Sequence, residues 1–474
     1  MKRLSLKEKL TYACGNLGIS LLTVIHMLFL VYFFFPPKDA GIPYHIPQTS
    51  FFMGITILGV VMSLGRIFDA FTDPLIAHLS DKSENKRGKR IPFLRKFSIP
   101  FAISYVAIFF VPVPGEISVI NIIWLTIWLF LCALFLTLYG VPYFSLLVHI
   151  AKTSEDKVDL CTFSSAFWFA GFIIVSSASN LWDGISKIFG VDRLVSMQFA
   201  FALLAIIGLM CLSIPAYLIN EKKYETNDIK IVNERLIPSL KKVLKNRNFI
   251  CYLIGNTGYS IATYMFETGL IYFITVLAVL EAGVQGTLTL IIGALTLLCY
   301  PLINKMAKKI GKKIVMKFGF LLFALTFIVI SFLGIGNMNV YILLGMIVLL
   351  VPYSQATFGI LPSAITADCA AYDKYKSGED KPGMYGAVNG FFSKLGGSLA
   401  MVIFTSLLLL GKDIGDDMGI RVIAIFGTIL SFAGIIAINR YNEKEILSYT
   451  KQNEYFDENS YTEREENSDK INTV

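Results

Sequence analysis

Asp69 and Asp73 lie in Gly65-Arg66-Ile67-Phe68-Asp69-Ala70-Phe71-Thr72-Asp73-Pro74, inside a run from Phe51 to Leu79 that is otherwise apolar and long enough to cross a bilayer. At helical spacing Arg66, Asp69 and Asp73 fall at i, i+3 and i+7. One face therefore presents all three, with the two carboxylates about 6 Å apart along the axis. An ionisable group in hydrocarbon costs on the order of 3 kcal/mol or more, and it escapes by facing a polar cavity, a partner charge or a bound cation. Two acids and one base leave that face one negative charge in excess. A cation or a proton would balance it. A static pair between Arg66 and one acid is the plain alternative, and it leaves the second acid without a role.

The elements that must hold this face follow from composition. Of 474 residues 55% are hydrophobic and 16% charged, and the mean hydropathy is +0.63, more apolar surface than a water-soluble fold could cover. The pattern predicts an all-α membrane protein with twelve spans, near 10–35, 51–79, 96–113, 118–149, 160–181, 195–219, 249–280, 284–304, 314–335, 339–367, 385–411 and 419–439. They divide six and six. Residues 1–220 are expected to form one bundle and 249–440 the other. The polar segment 221–248 between them carries Leu236, Ile237, Leu240, Val243 and Leu244 at helical spacing, which reads as an amphipathic linker on the inner surface. The polar tail 441–474 holds too little apolar material for a core and is expected to be disordered.

Lys and Arg give the orientation. Loop 80–96 carries Lys82, Lys86, Arg87, Lys89, Arg90, Arg95 and Lys96, and the loop between the eighth and ninth spans carries Lys305, Lys308, Lys309, Lys312 and Lys313. The alternate loops have at most one Lys each. Both termini are therefore expected in the cytoplasm, with the protein in the plasma membrane. The net charge of +8 is a topology signal and implies no nucleic-acid partner. The seven cysteines show no CxxC pair and read as packed thiols. No clustered His/Cys ligands, phosphate-binding Gly loop or nucleophile–base pair appears, so an enzyme and a bound cofactor are not expected.

The two halves echo each other. Val141-Pro142-Tyr143 late in the fourth span recurs as Val351-Pro352-Tyr353 in the tenth. Six plus six helices with a weak internal repeat suit a transporter whose halves rock about a central site.

These residues resemble a family. Arg66 to Pro74 is similar to the signature of the glycoside–pentoside–hexuronide:cation symporters, the melibiose-permease-like branch of the major facilitator superfamily. Asp81-Lys82 with Arg87-Gly88-Lys89-Arg90-Ile91-Pro92-Phe93, Thr137 to Ser145, Asp368 to Lys376 and Phe391-Phe392-Ser393-Lys394-Leu395-Gly396-Gly397 resemble further motifs of it, in order along the chain. The resemblance implies the major facilitator fold. It implies that Asp69 and Asp73 bind the coupling ion, sodium or a proton, that Thr137 adds an oxygen, and that Lys394 faces the same site. A lysine able to approach those carboxylates, with Arg66 beside them, would make ion binding and helix packing mutually dependent. A cytoplasmic gate is implied at Asp81, Arg87, Lys89, Arg90 and Asp368.

The departures bear on the substrate. Where the melibiose permease holds sugar hydroxyls with carboxylates, this chain has Ser20 and Gly140, and Ser164 takes the place of an arginine. Ser20, His26, Tyr139, Tyr143, Trp168, Asn256, Tyr264, Gln355 and Asn389 remain near the expected pocket, where amides and aromatic faces can bind a sugar ring. Glu267 in the seventh span is a further acid able to meet a substrate hydroxyl or take up a proton. The expected protein is a monomeric symporter that couples sodium or proton influx to uptake of a glycoside, pentoside or hexuronide. The alternative substrate is a lysophospholipid or another amphipathic molecule, because lysophospholipid symporters resemble this family and lack the same sugar-binding acids.

Overall fold

The computed structural model describes residues 4–52, 54–81, 88–151, 154–224, 243–336, 338–377 and 382–446. The first half is built from α1 (Leu6–Phe34), α2 (Ile57–Asp81), α3 (Ile91–Ala107), α4 (Val119–Ile150), α5 (Ser154–Ser176), α6 (Ala178–Phe189) and α7 (Arg193–Leu218). The second is built from α8 (Arg247–Tyr272), α9 (Gly283–Ile310), α10 (Lys312–Ser331), α11 (Val340–Ser377), α12 (Pro382–Leu407) and α13 (Met418–Asn439). Ten helical stretches among the described residues are long and apolar enough to cross a membrane, with α5 and α6 counted as one. The charged α2 and the 17-residue α3 bring the spans to twelve.

Local chemistry sets the ends. Ser5 caps α1 in a capping box with Glu8, and Asn246 caps α8 by accepting the Phe249 N–H at 3.2 Å. The second span begins later than its apolar run. Residues Ser50–Phe52 (β1) pair antiparallel with Ile55–Thr56 (β2), and Gly54 at φ +83° turns the chain there, so the helix starts at Ile57. The fifth span runs past residue 181 to Phe189, where Gly190 at φ +64° ends it. The tenth continues past 367 to Ser377.

Each half packs in the same way. Its first helix lies against its fifth and sixth, its second against its fourth, and its third against its fourth and sixth. The first helices, α1 and α8, meet across the junction of the halves, and they are the most enclosed of the candidate spans. Outward faces carry apolar rows at helical spacing, such as Ile99 with Ile103 and Ile425 with Ile429, all half exposed or more. Rows of this kind suit acyl chains. Val141-Pro142-Tyr143 and Val351-Pro352-Tyr353 sit in the fourth helix of each half, α4 and α11.

The halves also meet along two seams, α2 against α12 and α5 against α9. One end of the molecule, the hairpin face, carries β1, β2 and the α12–α13 loop. The other, the terminal face, carries Leu4, Glu221 and Tyr441. Most of the amphipathic linker, residues 225–242, and the tail beyond 446 lie outside the described residues.

Candidate cation site

Asp69 and Asp73 leave α2 one turn apart and face α4 and α12. Thr137 on α4 donates to Asp69 Oδ1 at 2.8 Å, and its hydroxyl also lies 3.1 Å from Asp73 Oδ1. Thr72 adds a second hydroxyl, 3.5 Å from that of Thr137. The other oxygen of each acid is taken by one ammonium. Lys394 Nζ stands 2.8 Å from Asp69 Oδ2 and also pairs with Asp73 Oδ2. Asp69 is buried, whereas Lys394 and Asp73 are each about one-third exposed, at 31% and 35%. Water or an ion can therefore reach the lysine's side of the cluster.

Arg66 has a different partner. Its guanidinium lies over the Tyr264 ring of α8, 5.3 Å from the centroid, so the base that bridges the two acids is Lys394. The four groups together carry no net charge, where α2 alone carried one negative. The excess charge read from the sequence is balanced in this structure by a side chain of the opposite half.

Arg66 and Asp69 also line a cavity of about 100 Å³ with Thr23, His26, Tyr105, Met62 and Met401. His26 reaches it with one ring face stacked on Tyr105 and its Nε2 2.7 Å from the Tyr105 carbonyl. The arrangement places oxygen ligands, a movable ammonium and a partly polar chamber side by side. Hard monovalent cations prefer such oxygens.

The other expected substrate residues are distributed more widely. Ser20 donates to the Trp168 carbonyl at 2.6 Å, Tyr139 to Leu212 at 2.8 Å and Tyr143 to Tyr12 at 2.6 Å. These three are fully buried inside the first half and line neither that cavity nor the one at Glu267, because their hydroxyls are satisfied by backbone. The Trp168 ring stacks on Phe172, 5.8 Å between centroids. Asn389 accepts from Asn256 Nδ2 at 3.0 Å and so ties α12 to α8. Glu267 and Gln355 share a second, smaller cavity with Phe169, Phe172 and Thr289.

A family model described as MFS/sugar transport protein matches residues 11–422. The chain belongs to that family. A glucuronide carrier protein homolog of Escherichia coli is 24% identical over 89% of this chain and 88% of its own length. An uncharacterized symporter of Synechocystis is 29% identical, and the match spans 36% of this chain but under a third, 30%, of that protein. A sodium-dependent lysophosphatidylcholine symporter of Xenopus tropicalis is 34% identical over 25% of this chain and 24% of its own. Among solved structures the nucleoside transporter NupG superposes with a TM-score of 0.62 at 14% identity, covering 91% of this chain and 99% of that one. That likeness is one of fold. The protein is a multi-pass membrane transporter and not an enzyme.

Two of its expected gate residues pair within their own halves. Arg90 meets Glu221 at 3.3 Å, and Asp368 meets Lys312 at 2.6 Å. Lys89 is exposed. Asp81 ends α2, and Arg87 lies outside the described residues.

A structural repeat not read from the sequence stands behind these pairs. Glu221 accepts the N–H groups of Arg90 and Ile91 at 2.9 and 3.1 Å, and Glu443 accepts those of Lys312 and Lys313 at 2.6 and 3.0 Å. Each carboxylate, supplied from beyond the last helix of its half, caps the start of the third helix, where the helix dipole favours an anion. Gly88 and Gly311 precede the capped turns at φ +105° and +93°, and a Cβ on either would run into the glutamate. The sequence signal was present, as Gly88-Lys89-Arg90-Ile91 against Gly311-Lys312-Lys313-Ile314 and Asn220-Glu221-Lys222 against Asn442-Glu443-Lys444. Residues 441–446, expected in a disordered tail, are therefore packed: Tyr441 is buried and Glu443 holds α10.

Proposed function

We propose that the transporter is a cation-coupled symporter that carries a glycoside, pentoside or hexuronide across the plasma membrane by alternating access, with residues 1–220 and 249–440 as the moving units, 221–248 as their linker and the termini in the cytoplasm. The observation that carries the reading is Lys394, an ammonium of one half that bridges two carboxylates of the other. On this reading the lysine stands in for the coupling ion when the hairpin face is closed. Parting of the halves at that face withdraws it and leaves Asp69 and Asp73 without a counter-charge, which sodium or a proton then supplies. With an ion bound, Lys394 has no partner to return to and closure is disfavoured. Contacts from bound substrate offset that cost, so ion and substrate cross together. The full-length similarity to a glucuronide carrier protein homolog supports a sugar-type substrate.

The test is uptake into membrane vesicles of a panel of labelled glycosides, pentosides and hexuronides, with and without imposed sodium or pH gradients. Gradient-driven accumulation of at least one, strongly reduced in Asp73→Asn, is expected. Indifference of every member to both gradients would overturn the proposal.

A second reading, an amphipathic lipid such as a lysophospholipid, is favoured by the stretch shared with the lysophosphatidylcholine symporter and by apolar side chains such as Leu30, Met62 and Met401 in the cavity at Asp69. Protection of a cysteine introduced beside that cavity by lysolipid, and not by glycosides, would establish it.

A further inference from the structure

Glu267 sits in a cavity that shares no lining residue with the one at Asp69. Five helices enclose it: α1 and α5 from one half, α8, α9 and α11 from the other. Its free volume is about 10 Å³, room for about one water-sized particle. No basic side chain lines it, and among the described residues Glu267 has no ion-pair partner. Tyr259 and Tyr264 are titratable groups on its own helix, and the lining residues contributed by α1, α5, α9 and α11 are uncharged. Two buried polar groups on α9, of which Thr289 lines this cavity, are also unspent. Thr289, 5% exposed, has a hydroxyl without a partner, and Gln285, one turn before it on α9, has an amide with neither atom bonded.

Glu267 is only partly exposed, and an ionised carboxylate in such a place has no base and little water to offset its charge. A proton or a small cation must accompany it. The side-chain oxygens that line the cavity are few: those of Glu267, Thr289 and Gln355, and Gln355 Oε1 already accepts from Thr296 at 3.2 Å. A sodium ion stripped of water would be under-coordinated by this set, whereas a proton needs one oxygen and one acceptor. We propose that Glu267 is a proton-binding site separate from the Asp69–Asp73 site, so that the carrier holds two ion sites, one at each seam. The O–H bond forms on the Glu267 carboxyl with a proton from water and breaks by return to water. Phe169 narrows the way from the seam to the acid. Its ring fills the notch at Gly293, where an added Cβ would stand 2.6 Å from the ring tip, and parting of the α5–α9 seam there would open the acid more widely to water.

The exchange step rests on the alternating-access reading, but the protonation does not, and it is tested without transport. Infrared difference spectra of the purified transporter in liposomes, taken between neutral and alkaline pH, should show the carbonyl band of an un-ionised carboxylic acid at neutral pH. That band should be lost in Glu267→Gln, persist in Asp73→Asn and be unmoved by sodium chloride. A band unchanged in Glu267→Gln would show the acid ionised and overturn the proposal, and a band abolished by sodium would make it a sodium site and overturn it equally. The unmutated protein gives a second measurement. Dicyclohexylcarbodiimide, which adds to protonated carboxyls in apolar surroundings, should modify Glu267 at neutral pH, as read by mass spectrometry of the peptide that contains it, and no modification would count against the site. Should sodium and pH gradients prove irrelevant to uptake while the band behaves as described, the symport reading falls and the proton site stands.

Discussion

The two seams that join the halves occupy equivalent places in the repeat, the second helix of one half against the fifth of the other, yet their chemistry differs. Along α2, from the end of β2 onward, polar contacts to α12 recur beside a close approach at Gly59. Thr56 donates to Thr405 at 2.6 Å, Ser63 meets Ser398, and Asp69 and Asp73 meet Lys394. Along α5 and α9 they are steric: Gly286 lies against the Ser176–Ser177 backbone and Gly293 against the Phe169 ring. A polar seam can be broken by an ion or by water competing for its partners, whereas a close-packed one can only separate as a surface. The first therefore suits a latch that senses an ion, and the second a hinge or seal that follows.

If the polar seam is the ion sensor, its acids should matter most. Asp73→Asn is expected to reduce gradient-driven accumulation roughly 5- to 150-fold, the span of ordinary coupling free energies, while leaving the amount of inserted protein unchanged; vesicle uptake against immunodetection measures both. Accumulation at the level of the unsubstituted protein would remove the distinction between the seams. Lys394→Ala comes next. It strands two carboxylates, and because the ammonium is 31% exposed the loss should fall below the ~3–5 kcal/mol typical of breaking a buried pair. Sodium should restore more thermal stability to this variant than to the parent, since no lysine competes for the acids. An equal sodium response in both would mean that the lysine and the ion do not share a site.

The difference between the seams also explains how far the sequence could be read. Asp69, Asp73 and Lys394 were legible because charge inside an apolar span needs a reason, and the resemblance supplied Lys394 as their partner across 321 residues. The twelve spans followed from apolar length, with errors where a glycine turn or a helix continuing beyond the apolar run set the end. The steric seam was invisible: Gly286 and Gly293 are ordinary glycines until the structure shows what fills the space beside them. That Arg66 lies over Tyr264 and does not join the acids was hidden, since helical spacing alone puts it beside them. Ser20, Tyr139 and Tyr143 looked like pocket residues because a sequence shows a hydroxyl but not the carbonyl that already satisfies it.

The steric seam should respond to volume and not to ions. A Cβ on Gly286 would stand 2.9 Å from Ser177 Cα and 3.0 Å from the Ser176 carbonyl oxygen, atoms that cannot rotate away, whereas at Gly293 it meets the tip of a phenylalanine ring that can. Gly286→Ala should therefore open the hairpin face more than Gly293→Ala, by an overpacking cost on the order of 1–3 kcal/mol. Spin-label distances across that face measure it, and the shift should be the same with and without sodium. A sodium-dependent shift would make this seam a sensor as well and erase the contrast.

The effect expected to be smallest at any single pH step lies where the polar seam reaches the hairpin face. Lys412, in the loop after α12, is 8% exposed; its ammonium lies 4.3 Å from the Phe35 ring centroid and 5.1 Å from that of Tyr44, and it donates to Gln48 of the other half. Lys38 pairs beside it with Asp413 at 3.1 Å, but Lys38 is well exposed and that pair adds little. Burial lowers the Lys412 ammonium to about pH 7, against the opposing pull of Asp413. Parting of the halves would return it to water and to its ordinary value near 10.5. Between those values the open form binds more protons than the closed one, so closure gains free energy as the pH rises above 7 and gains nothing further below it. The gain cannot exceed about tenfold in the closing equilibrium per pH unit, and residual contact with water should make it smaller. Spin-label distances across the hairpin face, followed from pH 6 to pH 10, should therefore move toward the closed form, and Lys412→Met should flatten the curve. A slope unchanged in Lys412→Met would assign the titration to another group and leave the latch with hydrogen bonds alone.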